Sequence, residues 1–309
     1  MFKKKLLALQ IAVIIVGMFI LVVTQNRAVA EVGEMRHKQI YAHHAQDVQV
    51  PAVKTEGVVA ALKTEPVSIS TGSTATMTVS IQDTDGNPAV DMTPTHDRIL
   101  HVIIVSEDFT IFSHIHPEDF GSVTPEMKKA AQFPLRYTFP KAGRYLIGVD
   151  FAVKGQTFSK RFVIDVAGDP KMGALTKDFL RQKKSGDYDV TLKSMPAIIH
   201  PEKEVELTYL FKENGQPVTD LEPYLSATMH VAIISTDLNN FIHEHGSVPG
   251  MSASGMHAHH MMHDMSVPSA FGPEIKVQTS FPAKGVYEIF SEVKHRGKVI
   301  VTHFMIEVQ

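Results

Sequence analysis

The sequence predicts an all-β protein: two tandem immunoglobulin-like or cupredoxin-like β-sandwich domains after an N-terminal membrane helix. Three observations carry this prediction. Apolar and polar residues alternate along short segments, turn residues separate these segments, and the second half of the chain repeats the first. Hydrophobic residues make up 44% of the 309 residues, which is enough to bury two cores.

The N-terminal segment joins a basic end to an uncharged apolar run. Lys3, Lys4 and Lys5 precede residues 6–23, which contain no charged residue. A helix of this length spans about 27 Å, close to the hydrocarbon thickness of a bilayer, and the lysines favour a cytoplasmic N-terminus. The run predicts a single-pass signal anchor in the cytoplasmic membrane, with the C-terminal bulk outside the cytoplasm. Cleavage after Ala30, within small residues, would instead give a secreted protein.

Composition shifts and the repeat divide the chain into five segments. They are a signal anchor or signal peptide at 1–30, a linker at 31–50, a first sandwich at 51–166, a linker at 167–185 and a second sandwich at 186–309. The second linker is charged and contains Gly and Pro, and we expect one short helix in it, around 175–182. The second sandwich carries a Met/His-rich loop at 247–273.

The internal repeat sets the register between the two domains. Residues 98–117 align without a gap with residues 227–246 at an offset of 129, which pairs histidine with histidine at three positions. Farther along, residues 139–155 match residues 281–297 at an offset of 142. The second copy therefore carries 13 extra residues between these two blocks.

Each copy has the alternation expected of strands that bury one face. The alternating segments are 77–81 and 162–166 in the first copy and 205–211 and 304–308 in the second, and the turn sequences are 85–88 and 214–217.

Three histidines per copy converge if each gapless block forms a hairpin. A two-residue turn at Asp108-Phe109 pairs residues whose numbers sum to 217, which places His101 opposite His116 with His114 on the same face. The same arithmetic, with a sum of 475, groups His230, His243 and His245. Three imidazoles suit Cu, Zn, Ni or Fe and leave a coordination position open. The alternative is a structural role, in which the histidines hydrogen-bond the hairpin. Asp108 and Asp237 are interpreted as turn formers, and Phe112 and Phe241 as core residues.

The 13 extra residues fall in a segment rich in methionine and histidine. Thioethers are soft ligands that favour Cu(I), and imidazole binds both Cu(I) and Cu(II), so this segment predicts a copper site, with zinc less favoured. The alternative is a low-complexity insertion or a flap over the core. The candidate ligands are Met251, Met256, His257, His259, His260, Met261, Met262, His263 and Met265.

Composition excludes several classes of function. The chain has no cysteine, which excludes disulfides, thiolate metal sites and thiol nucleophiles. Its net charge of −3 argues against a nucleic-acid partner. The sequence also lacks the catalytic motifs of serine hydrolases, zincins and P-loop enzymes, so we do not expect an enzyme.

The hairpin blocks 108–117 and 237–245 resemble a D-x-x-x-F-x-H-x-H pattern of bacterial extracytoplasmic β-domains. The domain ends, 139–166 and 281–308, resemble YtkA-like domains. These resemblances cover most of residues 51–309 and imply an envelope location and an association with copper and heavy-metal handling. Gly246 stands where the first copy has Pro117, a departure that leaves the hairpin arithmetic unchanged.

These observations predict an extracytoplasmic, membrane-tethered copper-binding protein that sequesters copper, confers resistance or delivers the metal. A copper transporter or a cuproenzyme is the expected protein partner, and residues 6–23 contact the membrane. The alternative function is a structural or partner-binding tandem β-sandwich of the cell envelope with no metal role.

Overall fold

The computed structural model describes residues 50–55, 57–249 and 267–309, with backbone only for 50–55. The apolar run 6–23, the small residues before the predicted cleavage point and the loop ligands 251–265 lie outside the described residues. Within the described ranges, no helix has both the length and the apolar character that a membrane span requires.

The first domain consists of strands β1–β10, with a 3₁₀ turn and one short helix between β7 and β8. The strands are β1 (Val50–Thr55), β2 (Val58–Glu65), β3 (Ile69–Ser70), β4 (Thr74–Gln82), β5 (Met92–Thr93), β6 (His101–Ser106), β7 (Phe112–Ile115), β8 (Gln132–Thr138), β9 (Gly143–Val153) and β10 (Gln156–Ala167), and the helical elements are the 3₁₀ turn Pro117–Phe120 and α1 (Pro125–Ala130). One sheet has the order β1-β2-β4-β8, and the other has the order β3-β10-β9-β6-β7, with β5 beside β9.

The second domain repeats this plan with strands β11–β19. They are β11 (Gln182–Ser185), β12 (Tyr188–Met195), β13 (Glu204–Glu213), β14 (Gln216–Pro217), β15 (His230–Ser235), β16 (Phe241–His245), β17 (Glu274–Ser280), β18 (Gly285–His295) and β19 (Lys298–Val308). One sheet has the order β11-β12-β13-β14 with β17 beside β13, and the other has the order β16-β15-β18-β19. The chain is therefore all-β, with two repeated two-sheet domains.

Each domain buries the apolar face of its alternating strands between its two sheets. In β4, Met77, Val79 and Ile81 are fully buried, while the residues between them are partly exposed. The corresponding residues of β13 are also fully buried, and the inward residues of β10 and β19 are buried. The predicted alternation is confirmed in all four segments.

Both histidine hairpins have the predicted register. Ile103 pairs with His114 in the first, and His230 pairs with His245 in the second, which gives the sums 217 and 475. The loop itself is longer than predicted. Ser106 N donates to Ile111 O, so four residues, 107–110, connect the strands in place of two.

The loop lengthens because an aspartate side chain organises it. Asp108 accepts hydrogen bonds from Ser106 Oγ at 2.6 Å and Thr110 Oγ1 at 2.8 Å, and Lys141 Nζ lies 3.3 Å away. Burial alone would raise the pKa of Asp108, but these hydrogen bonds lower it to about 2. Asp237 accepts from Ser235 Oγ in the same way. Both aspartates therefore form turns, as predicted.

The prediction of a helix around 175–182 is wrong. Residues 173–180 contain no helix, and β11 begins at Gln182. The segment instead contacts the second domain. Asp178 N donates to Met305 Sδ, Arg181 Nη1 donates to the Met305 carbonyl, and Leu175 packs into the apolar contact between the domains. These contacts hold the chain extended over β19, so its own propensity does not decide its conformation.

A third apolar cluster joins the two domains, and contacts group Gln49–Gln309 into one compact unit. All six residues of β6 are buried, and all six of β15 are buried as well. In β6, Val102 and Ile104 face the core of the first domain, whereas Ile103 and Val105 face the second domain. A strand covered on both faces explains the continuous apolar run in each copy.

Two phenylalanines at equivalent positions of the repeat fill this interdomain cluster. Phe112 stacks on Phe290 with ring centroids 4.4 Å apart. Phe241 lies over Gly148, the residue equivalent to Phe290, where an added Cβ would come within 2.5 Å of the ring. Both phenylalanines are half-buried between the domains and not in the centre of either sandwich. Phe241 thus occupies the space that the missing side chain of Gly148 leaves.

We expect Gly148→Ala to destabilise the protein by about 1–3 kcal/mol, because its methyl group overpacks the Phe241 ring. Gly173→Ala is the matched control, since an added Cβ there meets no atom within 4 Å. Urea unfolding of both variants measures the difference. Equal stabilities would show that the interdomain contact is loose.

Candidate metal centre

Three ring nitrogens of the first hairpin point at one another. His101 Nδ1 lies 3.0 Å from His114 Nε2 and 3.3 Å from His116 Nε2, and the two Nε2 atoms are 3.1 Å apart. A tetrahedral metal bound at about 2.0–2.1 Å sets its ligand nitrogens about 3.3 Å apart. This triangle, which we call trio 1, therefore matches three ligand positions around one ion.

The hydrogen-bond partners of the outward nitrogens in trio 1 determine which nitrogen of each ring carries the hydrogen. His101 Nε2 lies 3.0 Å from the Thr95 carbonyl oxygen, which can only accept, so Nε2 carries the hydrogen and Nδ1 the lone pair. His116 Nδ1 lies 3.2 Å from Asp119 Oδ2, which likewise accepts. Two inward lone pairs thus face each other, a repulsive arrangement unless a proton or a metal ion lies between them.

His114 is the remaining member, and a carboxyl of the other domain controls its proton. His114 Nδ1 lies 2.6 Å from Glu292 Oε2. Burial raises the pKa of Glu292 to about 8. A protonated Glu292 donates to His114 Nδ1, and His114 Nε2–H then bonds the two inward lone pairs. When Glu292 loses its proton, the hydrogen of His114 moves from Nε2 to Nδ1. Trio 1 then has three inward lone pairs, which is the form that binds a metal ion.

The second hairpin forms an equivalent set, trio 2, from His230, His243 and His245. His230 Nε2 lies 3.1 Å from the Tyr224 carbonyl, and this contact is one repeat offset of 129 residues from the His101–Thr95 contact. Ring centroids are 5.6, 4.8 and 4.7 Å apart, against 5.3, 4.9 and 4.5 Å at the equivalent pairs of trio 1. By the repeat equivalence, the inward nitrogens are His230 Nδ1, His243 Nε2 and His245 Nε2. These three, and also the outer His243 Nδ1, are buried and have no hydrogen-bond partner among the described residues.

The two carboxyls that support the trios cross the domain boundary. Glu292 of the second domain contacts His114 of the first, and Asp150 of the first lies 3.3 Å from His243 Nδ1 of the second. Asp150 and Glu292 are the same position of the repeat, at an offset of 142. Sequence reasoning missed both. The available signal was an acidic residue at the same repeat position in both copies.

The predicted hairpin sites are not separate, because the trios share one cluster between the domains. Centroids of His101 and His243 are 5.2 Å apart, and those of His114 and His230 are 5.3 Å apart, as close as neighbours within a trio. One ligand atom each from His101, His114, His230 and His243 lie within 4.8 Å of one another.

A seventh histidine, His96, was also missed. Its ring centroid lies 3.8 Å from that of His245, and its Nδ1 lies 3.4 Å from the Ser226 carbonyl oxygen of the other domain. No signal in the repeat could have found it, since Leu225 stands at the equivalent position. Trio 2 has Val248 at the position where trio 1 has Asp119. The two ends of the cluster therefore differ, because trio 2 lacks the carboxyl that faces His116 in trio 1.

Burial favours the neutral form of five imidazoles of the cluster. It lowers the pKa of His116 to about 4 and holds the pKa of His101, His114, His230 and His245 well below 6.5. Positive charge on neighbouring imidazoles lowers these pKa values further. Neutral imidazole is the form that binds metal.

A family described as "Domain of unknown function (DUF8832)" matches this chain twice, over residues 53–168 and 182–309. The chain belongs to this family. The two DUF8832 matches contain the two histidine hairpins, one each, and the second also contains the predicted loop ligands 251–265. No curated protein matches the sequence.

Solved structures similar to this DUF8832 chain include three envelope proteins. FdeC, an Escherichia coli adhesin, is 11% identical over 84% of this chain and 66% of its own, with a TM-score of 0.22. Domains 4 and 5 of the S-layer protein SbsC are 10% identical over 83% and 98%, with a TM-score of 0.22. A membrane-anchored protein from Corynebacterium diphtheriae is 11% identical over 82% and 57%, with a TM-score of 0.23. TM-scores this low carry no argument about function.

Proposed function

We propose that the cluster of trio 1 and trio 2 binds a transition metal. The observation that carries this proposal is the triangle of three ring nitrogens, 3.0–3.3 Å apart, whose outer nitrogens face acceptors. A histidine kept for structure alone would direct both ring nitrogens to protein partners. Here the outward nitrogens are bonded and the inward nitrogens face one another, which is the pattern of metal ligands with supporting carboxyls and carbonyls.

Copper is the metal that we propose, and the reason lies in the sequence of the loop. Imidazole alone suits Cu, Zn, Ni and Fe. The five methionines and four histidines between 251 and 265 add soft ligands that favour Cu(I), so the loop serves as a capture segment and the cluster as the defined site. Zinc is the less favoured occupant.

We propose that the protein is membrane-tethered and extracytoplasmic. In this proposal it sequesters copper, confers resistance or delivers the metal to a transporter or cuproenzyme. The tether and the location rest on the lysines and the apolar run 6–23. The two-sheet domains are compatible with an immunoglobulin-like or cupredoxin-like sandwich, and the YtkA-like resemblance stays a prediction.

A structural or partner-binding role in the cell envelope is the second candidate function. The apolar cluster that joins the two domains is the observation that favours this role. The apolar contact between the domains would then exist to hold a rigid tandem unit, and the histidines would only fill space beside it. The two candidates differ in one measurable property, metal affinity.

Replacing Glu292 with Gln tests the metal proposal. Gln cannot carry the negative charge that supports His114 when its Nε2 binds metal, so we expect Glu292→Gln to weaken Cu(II) binding about 10–100-fold. The assay is chelator competition on the full chain, in a background where the nine loop ligands are Leu or Gln.

Glu288→Gln is the matched control. Glu288 is a buried carboxylate on the same face of β18, and it lies 2.7 Å from Nδ1 of His303, a histidine outside the cluster. We expect this variant to keep its Cu(II) affinity. If Glu292→Gln binds Cu(II) as tightly as Glu288→Gln, or if the unsubstituted cluster binds no Cu(II), Zn(II) or Ni(II), the structural role replaces the metal proposal.

A further inference from the structure

We infer that the cluster is a dinuclear metal centre, in which trio 1 and trio 2 each hold one ion and a small oxygen-donor ligand bridges the two ions. This inference rests on the proposed metal function and specifies how many ions the cluster takes and what completes their coordination. Nothing in the sequence predicted it, because the two hairpins are 129 residues apart and read as two independent sites.

The repeated geometry supplies two complete three-nitrogen sets. The equivalent centroid distances of the two trios differ by no more than 0.3 Å. Each set has its own carbonyl acceptor, Thr95 or Tyr224, and its own carboxyl from the opposite domain, Glu292 or Asp150. Trio 2 thus has a counterpart to each element that prepares trio 1 for one ion, apart from Asp119 and the short carboxyl hydrogen bond, because Asp150 lies near His243 Nδ1 without a hydrogen bond to it.

A single ion shared by both domains fits the nitrogens less well. Such an ion would use His101, His114, His230 and His243, the four whose ligand atoms lie within 4.8 Å. His116 Nε2 would then stay 3.1 Å from His114 Nε2 and 3.3 Å from His101 Nδ1, with its lone pair directed at the same space and no bond to make. The buried Nε2 of His245 would also stay without a partner. Two ions use all six inward nitrogens.

The proximity of the trios explains why the ions would share a ligand. Three nitrogens leave at least one coordination position open on each ion. Because one ligand atom from each of two histidines per trio lies within 4.8 Å of the others, the open positions face a common space. Asp150 and Glu292 face the outer nitrogens of His243 and His114, so they do not fill that space. Water-derived hydroxide has the size and negative charge to bridge two divalent cations there.

Metal stoichiometry in paired variants tests the inference. Cu(II) is titrated into the full chain and into His114→Gln/His116→Gln, His243→Gln/His245→Gln and the quadruple variant, with circular dichroism to confirm folding. One ion in each trio predicts that each double variant loses one equivalent and that the quadruple variant loses two. Loop binding is common to all four proteins and cancels in these differences.

The other outcomes separate the two proposals. If every variant loses the same single equivalent, one shared ion occupies the cluster, so the dinuclear inference falls while the metal function stands. If no variant loses metal, both fall.

Electron paramagnetic resonance provides a test that needs no substitution in the cluster. In the background with Leu and Gln at the loop ligands, the first equivalent of Cu(II) should give an isolated S = 1/2 signal, because the unequal ends fill in order. The second equivalent should remove that signal by exchange coupling through the bridge. A signal that grows in proportion to two bound equivalents would overturn the bridged centre.

Discussion

The metal-free protein should lose stability steeply as the pH falls from 6.5 to 5. Burial lowers the pKa of six imidazoles, those of His96, His101, His114, His116, His230 and His245. Below pH 6.5 the unfolded chain therefore protonates these groups to a greater extent than the folded chain does. Since the unfolded state then binds more protons, the free energy of unfolding falls as the pH falls.

Two buried carboxyls act in the opposite direction. Burial raises the pKa of Glu292 and of Glu244 to about 8, so the folded state binds these two protons below pH 8 and the unfolded chain does so only near pH 4.5. Six imidazoles against two carboxyls leave a net of four protons. At about 1.4 kcal/mol per proton and pH unit, the ceiling is on the order of 5 kcal/mol per pH unit below 6.5, with greatest stability near that pH.

Urea unfolding at pH 7.5, 6.5 and 5.0 in the presence of a chelator measures this loss. His230→Gln should lower the slope of the unfolding free energy against pH by the equivalent of about one proton. His200→Gln, at an exposed site outside the cluster, is the control substitution. Excess Cu(II) should move the acid midpoint to lower pH, because it binds only the folded cluster. Equal stability at pH 6.5 and 5.0 would mean that the folded imidazoles take up protons freely, contrary to their burial.

The fold was predictable because its signals are local. Alternating residues such as Met77, Val79 and Ile81 mark one buried face, and turn residues mark where strands end. The prediction of a helix around 175–182 was wrong because the conformation of that segment depends on distant residues. Contacts of Leu175 and Arg181 with the other domain hold the segment extended. The sequence of a linker does not say which distant strand will cover it.

The site was half predictable. Register arithmetic brought His101, His114 and His116 together, because pairing within a hairpin follows from the chain itself. The docking of one domain on the other depends on surface shape, including the space above Gly148 that Phe241 fills. That docking merged the two trios and added His96, Asp150 and Glu292, which no spacing rule connects to the hairpins.

Cu(I) capture by the Met/His loop is the second large effect that we expect. Replacing Met251, Met256, Met261, Met262 and Met265 with Leu should lower Cu(I) affinity at least tenfold and leave Cu(II) affinity nearly unchanged, because thioethers bind the softer ion and imidazoles still serve the harder one. Replacing His257, His259, His260 and His263 with Gln should weaken Cu(II) binding first. Competition with Cu(I)- and Cu(II)-selective chelators measures both.

The pH dependence separates loop binding from cluster binding. Imidazole, with an unperturbed pKa near 6.5, releases metal as the pH falls through about 6, whereas thioethers carry no competing proton. Cu(I) held by the loop should therefore persist at pH 5 in the histidine-substituted protein. The described ends of the loop, Val248 and Val267, pack on the core of the second domain, so deletion of 251–266 should leave the fold intact. If that deletion leaves both copper isotherms unchanged, the loop is not a copper ligand, and only the cluster between the domains remains as a candidate site.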